Sequence, residues 1–375
     1  MSSSTGHSFR ITTFGESHGK GLGVIIDGCL SRVPIDFAKI QHQLHRRRPG
    51  TSSITSQRQE KDEVICLSGI ENGLTLGSPV ALHILNTDAK PKDYSSTKHL
   101  YRPSHADYTW QQKFHILPAS GGGRASARET VARVAGGAVA EQMLKHVLPA
   151  FEVVAYVTRV GKIAIKKAII DGSLSRADVD QSLLRCPEPT TTESMLKHIK
   201  EIKNNGDSVG GEICCCIKGV PSGLGEPIFD KLEADLAKAI MSIPACRYFS
   251  IGDGIEASQR LGSENNDALM QTTQGTIERQ SNHSGGIEGG ISHGGIIYFY
   301  AGFKPPSTIF QPQTTLTHSL KPISYTPQAG RHDPCVLPRA VPIVEAMASL
   351  VMADHFLRHH TQHGPSHLST TSEDV

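Results

Sequence analysis

The sequence is poor in aromatic residues: Phe, Trp and Tyr make up 5% of its 375 positions, and Trp110 is the single tryptophan. With a net charge of only +2, that scarcity argues against a surface built to stack bases or track a phosphate backbone, although local basic pockets stay open. No G-x-G-x-x-G follows a strand-like run, so the usual dinucleotide fingerprint is missing. The eight cysteines lack paired spacing, and three are consecutive, Cys214 to Cys216. Successive strand residues face opposite sides, so that triplet cannot form a zinc site alone. The expectation is buried thiols in a reducing compartment. The first residues lack a basic-then-apolar signal pattern, and no apolar run approaches membrane-spanning length. These absences predict a cytoplasmic protein with no membrane or nucleic-acid partner.

What is abundant is glycine, gathered with charge and hydroxyls in loops. The segment A-S-G-G-G-R-A-S-A-R-E-T, Ala119 to Thr130, places Arg124, Ser126, Arg128 and Thr130 behind three glycines. Consecutive glycines let a backbone approach a ligand closely. The next run has helical apolar spacing at Val131, Val134, Ala135, Ala138, Val139 and Met143. A glycine-rich loop feeding a helix N-terminus is a ready anion site. Taken alone, the segment is equally a tight turn before a core helix.

Along the chain, Phe9 to Phe14 and Leu22 to Cys29 read as strands about the turn G-E-S-H-G-K-G. Phe37 to Arg46 reads as a helix ending in R-R-R and stopped by Pro49-Gly50. Strands are expected at Glu63 to Leu67 and Pro79 to Leu85, then a connection without periodicity, Asn86 to Ser120. Beyond the central helix the pattern predicts a strand over Glu152 to Lys166 and helices near Arg176 to Leu184 and Thr192 to Lys203. A strand over Val209 to Val220, a helix over Asp230 to Met241 and a strand after the glycine block Gly285 to Gly295 follow. The last helix is expected from Val341 to His360, and the polar tail 361–375 is expected to be disordered. Grouped strands with irregularly placed helices predict an α+β fold with antiparallel sheets, not a doubly wound one.

Four polar loops carry candidate chemistry. In G-E-S-H-G, Ser17 beside His18 invites a nucleophile-and-base reading. Sequence neighbours rarely face each other that way, and the strand–turn–helix elbow is absent. A protonated imidazole hydrogen-bonding a departing phosphate suits His18 better. The stretch H-R-R-R-P-G-T-S-S-I-T-S-Q-R, His45 to Arg58, supplies guanidinium forks, though three adjacent arginines cannot all face one site. R-P-S-H-A-D-Y brings Arg102 and His105, and G-R-H-D-P-C brings Arg331, His332 and Asp333. With the glycine-rich centre, they compose a site for a small polyanion.

These motifs, with N-T-D, G-L-G-E-P and G-G-I-E-G-G-I-S, stand in the order and spacing of the chorismate synthase family, and the resemblance runs from about Phe9 to His360. It implies one large α+β domain, residues 1–360, with helices sandwiched between antiparallel β-sheets, assembling as a homotetramer. It implies a lyase of the shikimate pathway that eliminates phosphate from 5-enolpyruvylshikimate 3-phosphate, giving chorismate. The family uses reduced FMN without net redox change; NAD(P)H serves only indirectly, through a separate flavin reductase or an activity of the chain itself. By matching position, His18 resembles the acid that protonates the leaving phosphate, His105 the histidine that stabilises reduced flavin, and Asp333 the aspartate that relays a proton. Ser17, Arg47, Arg102 and Arg331 resemble substrate-binding positions, Ser17 also supporting Asp333. Flavin contacts are implied for Arg124, Ala125, Ser126, Pro244, Ala245, Gly289, Lys304, Pro305, Pro306, Ser307, Thr308 and Arg331. The chain departs from the family pattern at Ser53, Ala125, Arg247, Glu288 and Pro306. A flavin oxidoreductase turning over NAD(P)H and a nucleic-acid binder using the R-R-R region are the competing readings. The missing dinucleotide fingerprint weighs against the first, and the near-neutral charge against the second.

Overall fold

A layer of helices lies between two antiparallel sheets in the computed structural model of the chain, which describes residues 3–49, 60–87, 97, 99–118, 121–273, 275–327 and 333–363. The α-helices among the described residues are α1 (Phe37–Arg47), α2 (Asp107–Phe114), α3 (Thr130–Val147), α4 (Arg176–Asp180), α5 (Pro189–Asn204), α6 (Leu232–Met241), α7 (Gly262–Asn265) and α8 (Leu337–His363). The first sheet orders Ser4–Thr5, Arg10–Gly15, Gly21–Asp27, Val80–Leu85 and Val64–Ser68. The second orders Cys246–Ile251, Ile297–Phe303, Gly211–Lys218, Glu152–Val160 and Ile163–Ala164. The expected α+β architecture is the one found.

Period-two patterning builds the first sheet. Leu22, Val24 and Ile26 of one strand and Val80, Leu82 and Ile84 of its neighbour are buried against the helices, while Ile25 and Leu85 are exposed. Helix α3 is apolar on nearly every side because the first sheet covers one face and α8 the other. At that crossing, a Cβ built on Gly137 would fall 2.5 Å from the Cβ of Ala346 and 2.7 Å from its carbonyl oxygen. Hydrogen at that position is what lets the two backbones meet.

Helix α8 begins at Leu337 and runs to His363, so the first three residues of the expected tail continue it; residues 364–375 lie outside the described ones. Its Leu337–Gln362 stretch is long and apolar enough to cross a membrane, contrary to expectation from the sequence. The most apolar window is 89% buried, so this is a core helix packed on α3, α6 and the second sheet. Pro342 leaves the Pro338 carbonyl without its intrahelical donor. The Arg185 guanidinium donates to that carbonyl and, at 2.9 Å, to Arg46 O at the end of α1.

Seven of the eight cysteines are buried and Cys66 is partly so; all are free thiols. Cys215 faces the main core, whereas Cys214 and Cys216 face the opposite side with Tyr156 and Tyr298. Several elements lay beyond the sequence pattern. Helix α2 falls inside the stretch expected to lack periodicity, and it buries no residue, which removes the apolar signal. The hairpin Leu269–Gln271/Ile277–Arg279 is likewise mostly exposed, and Gln313–Leu316/Pro322–Tyr325 has no buried residue.

Replacing Gly137 with Ala is expected to lower the melting temperature, because overpacking of about 1–3 kcal/mol outweighs the roughly 0.5–1 kcal/mol regained in helix propensity. Thermal unfolding by circular dichroism checks this; an unchanged or higher midpoint would show that the two helices move apart freely.

Candidate functional site

The Ser17-His18 turn closes the hairpin between strands Arg10–Gly15 and Gly21–Asp27. Gly15 has φ +90°, and a Cβ there would lie 2.2 Å from Gly21 O, so the tight closure needs glycine. Ser17 is fully buried, with its Oγ 3.2 Å from His18 Nδ1. The glycine-rich loop lies against this pair: a Cβ on Gly121 would approach His18 Nδ1 to 3.0 Å and Ser17 Oγ to 3.3 Å. Arg124 reaches back to the hairpin, donating to Thr13 Oγ1 at 2.6 Å and Gly15 O at 3.2 Å. Ala125 ends one 3₁₀ turn, and Ser126 caps the next by accepting from Arg128 N at 3.3 Å. Two 3₁₀ turns therefore separate the glycines from α3.

Beside this loop, two guanidinium groups share one carboxylate. Arg47, 1% exposed at the end of α1, donates to Asp62 Oδ2 at 3.3 Å, Thr130 Oγ1 at 3.2 Å and Ala127 O at 2.9 Å. Arg128 pairs with the other Asp62 oxygen and lies 3.8 Å from Glu60. Burial alone would raise the Asp62 carboxyl, but Arg47 and Arg128 outweigh it and hold it below the ordinary carboxylate range. Arg339 of α8 donates to Arg47 O at 3.3 Å and pairs with Asp333, which brings the C-terminal motif to the same cluster. Asp62, Glu60 and Arg339 were missed in the sequence; the faint signal was three acids, Glu60, Asp62 and Glu63, soon after the basic stretch 45–58. Arg331 and Ser53 lie outside the described residues.

A second set of predicted residues meets around His105. Its Nδ1 lies 2.9 Å from Pro103 O, which can only accept, so Nδ1 carries the proton and Nε2 accepts from Thr308 Oγ1 at 3.1 Å. Burial first, then the Arg102 charge, push the imidazole down to about 4, so it is neutral. Arg102 forks onto Asp107 through Nε at 2.8 Å and Nη2 at 2.7 Å. Ser307 pairs with Lys304 and donates to Ser104 O at 3.0 Å, and Pro306 O accepts from Ser208 at 2.6 Å. Pro305 is exposed beside them. Lys304 N donates to Ala245 O at 2.9 Å, placing the Pro244-Ala245 turn against this segment; Ala245 has φ +70°. Burial and Arg247 lower the Lys304 ammonium from its ordinary value.

The contacts thus form two sets, one joining Ser17, His18, Arg124 to Ser126, Arg47 and Asp333, the other Arg102, His105, Pro244, Ala245 and Lys304 to Thr308. Gly289 stands apart at the tip of the hairpin Ile287–Glu288/Ile291–Ser292, where a Cβ would meet nothing within 4 Å. Its neighbour Glu288, a departure from the family pattern, has a partner in Arg279 at 2.7 Å. No cluster of potential metal ligands occurs among the described residues.

His105 has a measurable signature. Its folded value of about 4 lies below the ordinary 6.5, so between the two the unfolded chain binds more protons. The stability it contributes is complete above about pH 6.5 and is lost as pH falls toward about 4. Melting curves across that window are expected to fall less steeply for His105→Asn than for the parent, and equal slopes would remove His105 as their source.

A family model described as chorismate synthase matches residues 9–357. The chain is 50% identical over 365 residues to the chorismate synthase of Synechococcus sp. (strain RCC307), covering 97% of this chain and 100% of that one. It is 49% identical over 358 residues to that of Methylacidiphilum infernorum (isolate V4), covering 96% and 97%. A solved structure titled "Crystal Structure of Chorismate Synthase" superposes with a TM-score of 0.75 at 31% identity, covering 94% of this chain and 93% of that one. The family is flavin-dependent and acts on a small molecule. With its fold, its ordered motifs and nearly its whole length in agreement, the chain belongs to the chorismate synthase family, the lyases of the shikimate pathway that serve aromatic amino-acid biosynthesis.

Proposed function

We propose that the chain eliminates phosphate from 5-enolpyruvylshikimate 3-phosphate in an anti-1,4 sense to give chorismate, with reduced FMN as cofactor and no net redox change. The observation that supports this most is the seating of Ser17 and His18 against Gly121, where a Cβ would crowd His18 Nδ1 at 3.0 Å and glycine lets the two loops meet. His18 holds the proton for the departing phosphate, and Ser17 fixes its ring through Nδ1. Arg47 and Arg102 act from within ion pairs, Asp62 and Asp107 setting their guanidinium planes toward the substrate anions; Arg331 completes that set. Asp333, oriented by Arg339, moves the proton released as the ring hydrogen leaves.

The donor set around Lys304 suits FMN. Two cations, Lys304 and Arg247, stand with the Ser307 and Thr308 hydroxyls, the chemistry a phosphate and a ribityl chain require. Arg124 to Ser126, Pro244, Ala245, Gly289, Lys304 to Thr308 and Arg331 would hold the cofactor, with neutral His105 beside it. Bound in its reduced form, FMN would supply transient electron density to the elimination. The protein's share is to orient the substrate and keep water out.

The active form is a cytoplasmic homotetramer, fed with reduced flavin by a separate reductase, so that NAD(P)H enters only indirectly. In support of self-association, the outer face of the first sheet leaves Phe14, Ile25, Ile65 and Leu67 exposed. Residues of the 165–174 segment cover the matching face of the second sheet.

Anaerobic assay with 5-enolpyruvylshikimate 3-phosphate, following chorismate and phosphate together, tests the reading. Product is expected with pre-reduced FMN and none with oxidised FMN plus NADPH; product in both arms would give the chain its own reductase, and product in neither would overturn the lyase assignment. His18→Ala is expected to lower kcat by about 10²–10⁴-fold with KM little changed. Normal turnover in that variant would remove His18 from the acid role.

A further inference from the structure

We infer that Asn86 is the positioning residue for His18, and that it ties the acid to the buried arginine–carboxylate cluster; this rests on the reading of His18 as the proton donor. Asn86 directly follows the strand Val80–Leu85, and its backbone N–H donates to Lys20 O at 3.2 Å, extending the ladder to the end of the turn. Its side-chain Nδ2 donates to two carbonyls, Glu16 O at 3.0 Å and Gly19 O at 2.9 Å. Those carbonyls flank Ser17 and His18 on either side. Within the turn Gly19 N donates to Glu16 O at 3.1 Å, and Arg124 reaches its first glycine, donating to Gly15 O at 3.2 Å.

The orientation of the amide is determined by its partners. Asn86 Oδ1 accepts from Arg128 Nε at 2.9 Å. A flipped amide would set its NH₂ against a guanidinium and its oxygen against two carbonyls, so one orientation alone satisfies all three bonds. Arg128 is itself buried and held by Asp62, so it cannot follow a moving side chain. One amide therefore fixes both ends of a glycine-flanked turn to a rigid cation. Glycine on both sides, Gly15 and Gly19, gives the turn no stiffness of its own. Misplacement by about 1 Å can cost 10²-fold in rate, which is the size of effect a lost clamp would bring. Neither turn residue needs to be touched for the acid to lose its aim.

The test is a double-mutant cycle on the full-length enzyme with saturating reduced FMN, using Asn86→Ala, Asn86→Asp and His18→Ala. Asn86→Ala is expected to lower kcat by about 10²-fold, with KM within about twofold and FMN affinity unchanged. In the His18→Ala background the same change is expected to cost less than about threefold, because a residue acting through His18 has nothing left to position. Asn86→Asp keeps the acceptor for Arg128 but loses both donors, so it should resemble Asn86→Ala. An equal loss in both backgrounds, or full kcat in Asn86→Asp, would overturn the inference while leaving His18 as the acid. Normal turnover in His18→Ala would instead overturn the acid assignment, and Asn86's role with it. Should Asn86→Asp not fold, the Asn86→Ala cycle decides alone, and should Asn86→Ala not fold, the Asn86→Asp cycle with His18→Ala does.

Discussion

Much of the site depends on one buried carboxylate carrying two guanidinium groups. Buried ion pairs add little net stability, but removing one partner strands the other charge in a poor solvent. Their value here is geometric. Asp62 is 1% exposed and adopts φ +51°, a conformation disfavoured for any residue but glycine. It fixes the end of α1 through Arg47 and the approach to α3 through Arg128. Arg339 adds the start of α8 by donating to Arg47 O while holding Asp333. Four segments far apart in the chain thus take their mutual positions from a few charge-assisted bonds.

Neighbouring arginines in R-R-R divide the work because a helix turns its residues to different faces. Arg47 faces Asp62, whereas Arg46 faces away, 2.7 Å from Asp180 and paired with Glu345. Glu345 also accepts from Ala155 N at 3.0 Å and lies 3.3 Å from Arg176 Nε. Burial pushes its carboxyl up, yet Arg176 and Arg46 outweigh that and keep it ionised. The last turn of α1 is therefore anchored on one side to the second sheet and on the other to the site. The carbonyls at that helix end are taken by Arg185 and Arg339, cations where the helix dipole favours them.

The sheets and most helices were legible because burying one face imposes a period, two for the strands about Val24 and Leu82, and near 3.6 for α1 and α6. Helix α2 buries nothing and so left no period to read. Ser17 and His18 were legible from their glycine flanks, and Arg124 to Ser126 from the glycines before them. Asp62, Glu60 and Asn86 were not, since an acid or amide near arginines in sequence is usually solvated, and only the fold brings Asp62 under both Arg47 and Arg128. The family resemblance implied substrate-binding positions for Arg47 and Arg102 without showing that each has a carboxylate partner within the chain. The sequence pattern showed α8 as a helix from Val341 but not that its whole length from Leu337 is apolar enough for a span, and its packing between layers shows it to be core.

Charge also explains why His105 is neutral. His105 shares a turn with Arg102, and the cation's field adds to burial in keeping the imidazole neutral. Asp107 opposes this, but its carboxylate is already spent on the Arg102 fork, so its pull on His105 is weaker than the cation's push. The Pro103 carbonyl then selects the tautomer, leaving Nε2 as an acceptor toward Thr308. His18 has a different neighbourhood, a serine hydroxyl at Nδ1 and bare glycine backbone alongside, in a turn that Arg124 reaches directly at Gly15 O and Arg128 through the Asn86 amide. Burial and a neighbouring guanidinium thus set the state of His105, which under the proposed function would stand neutral beside the flavin.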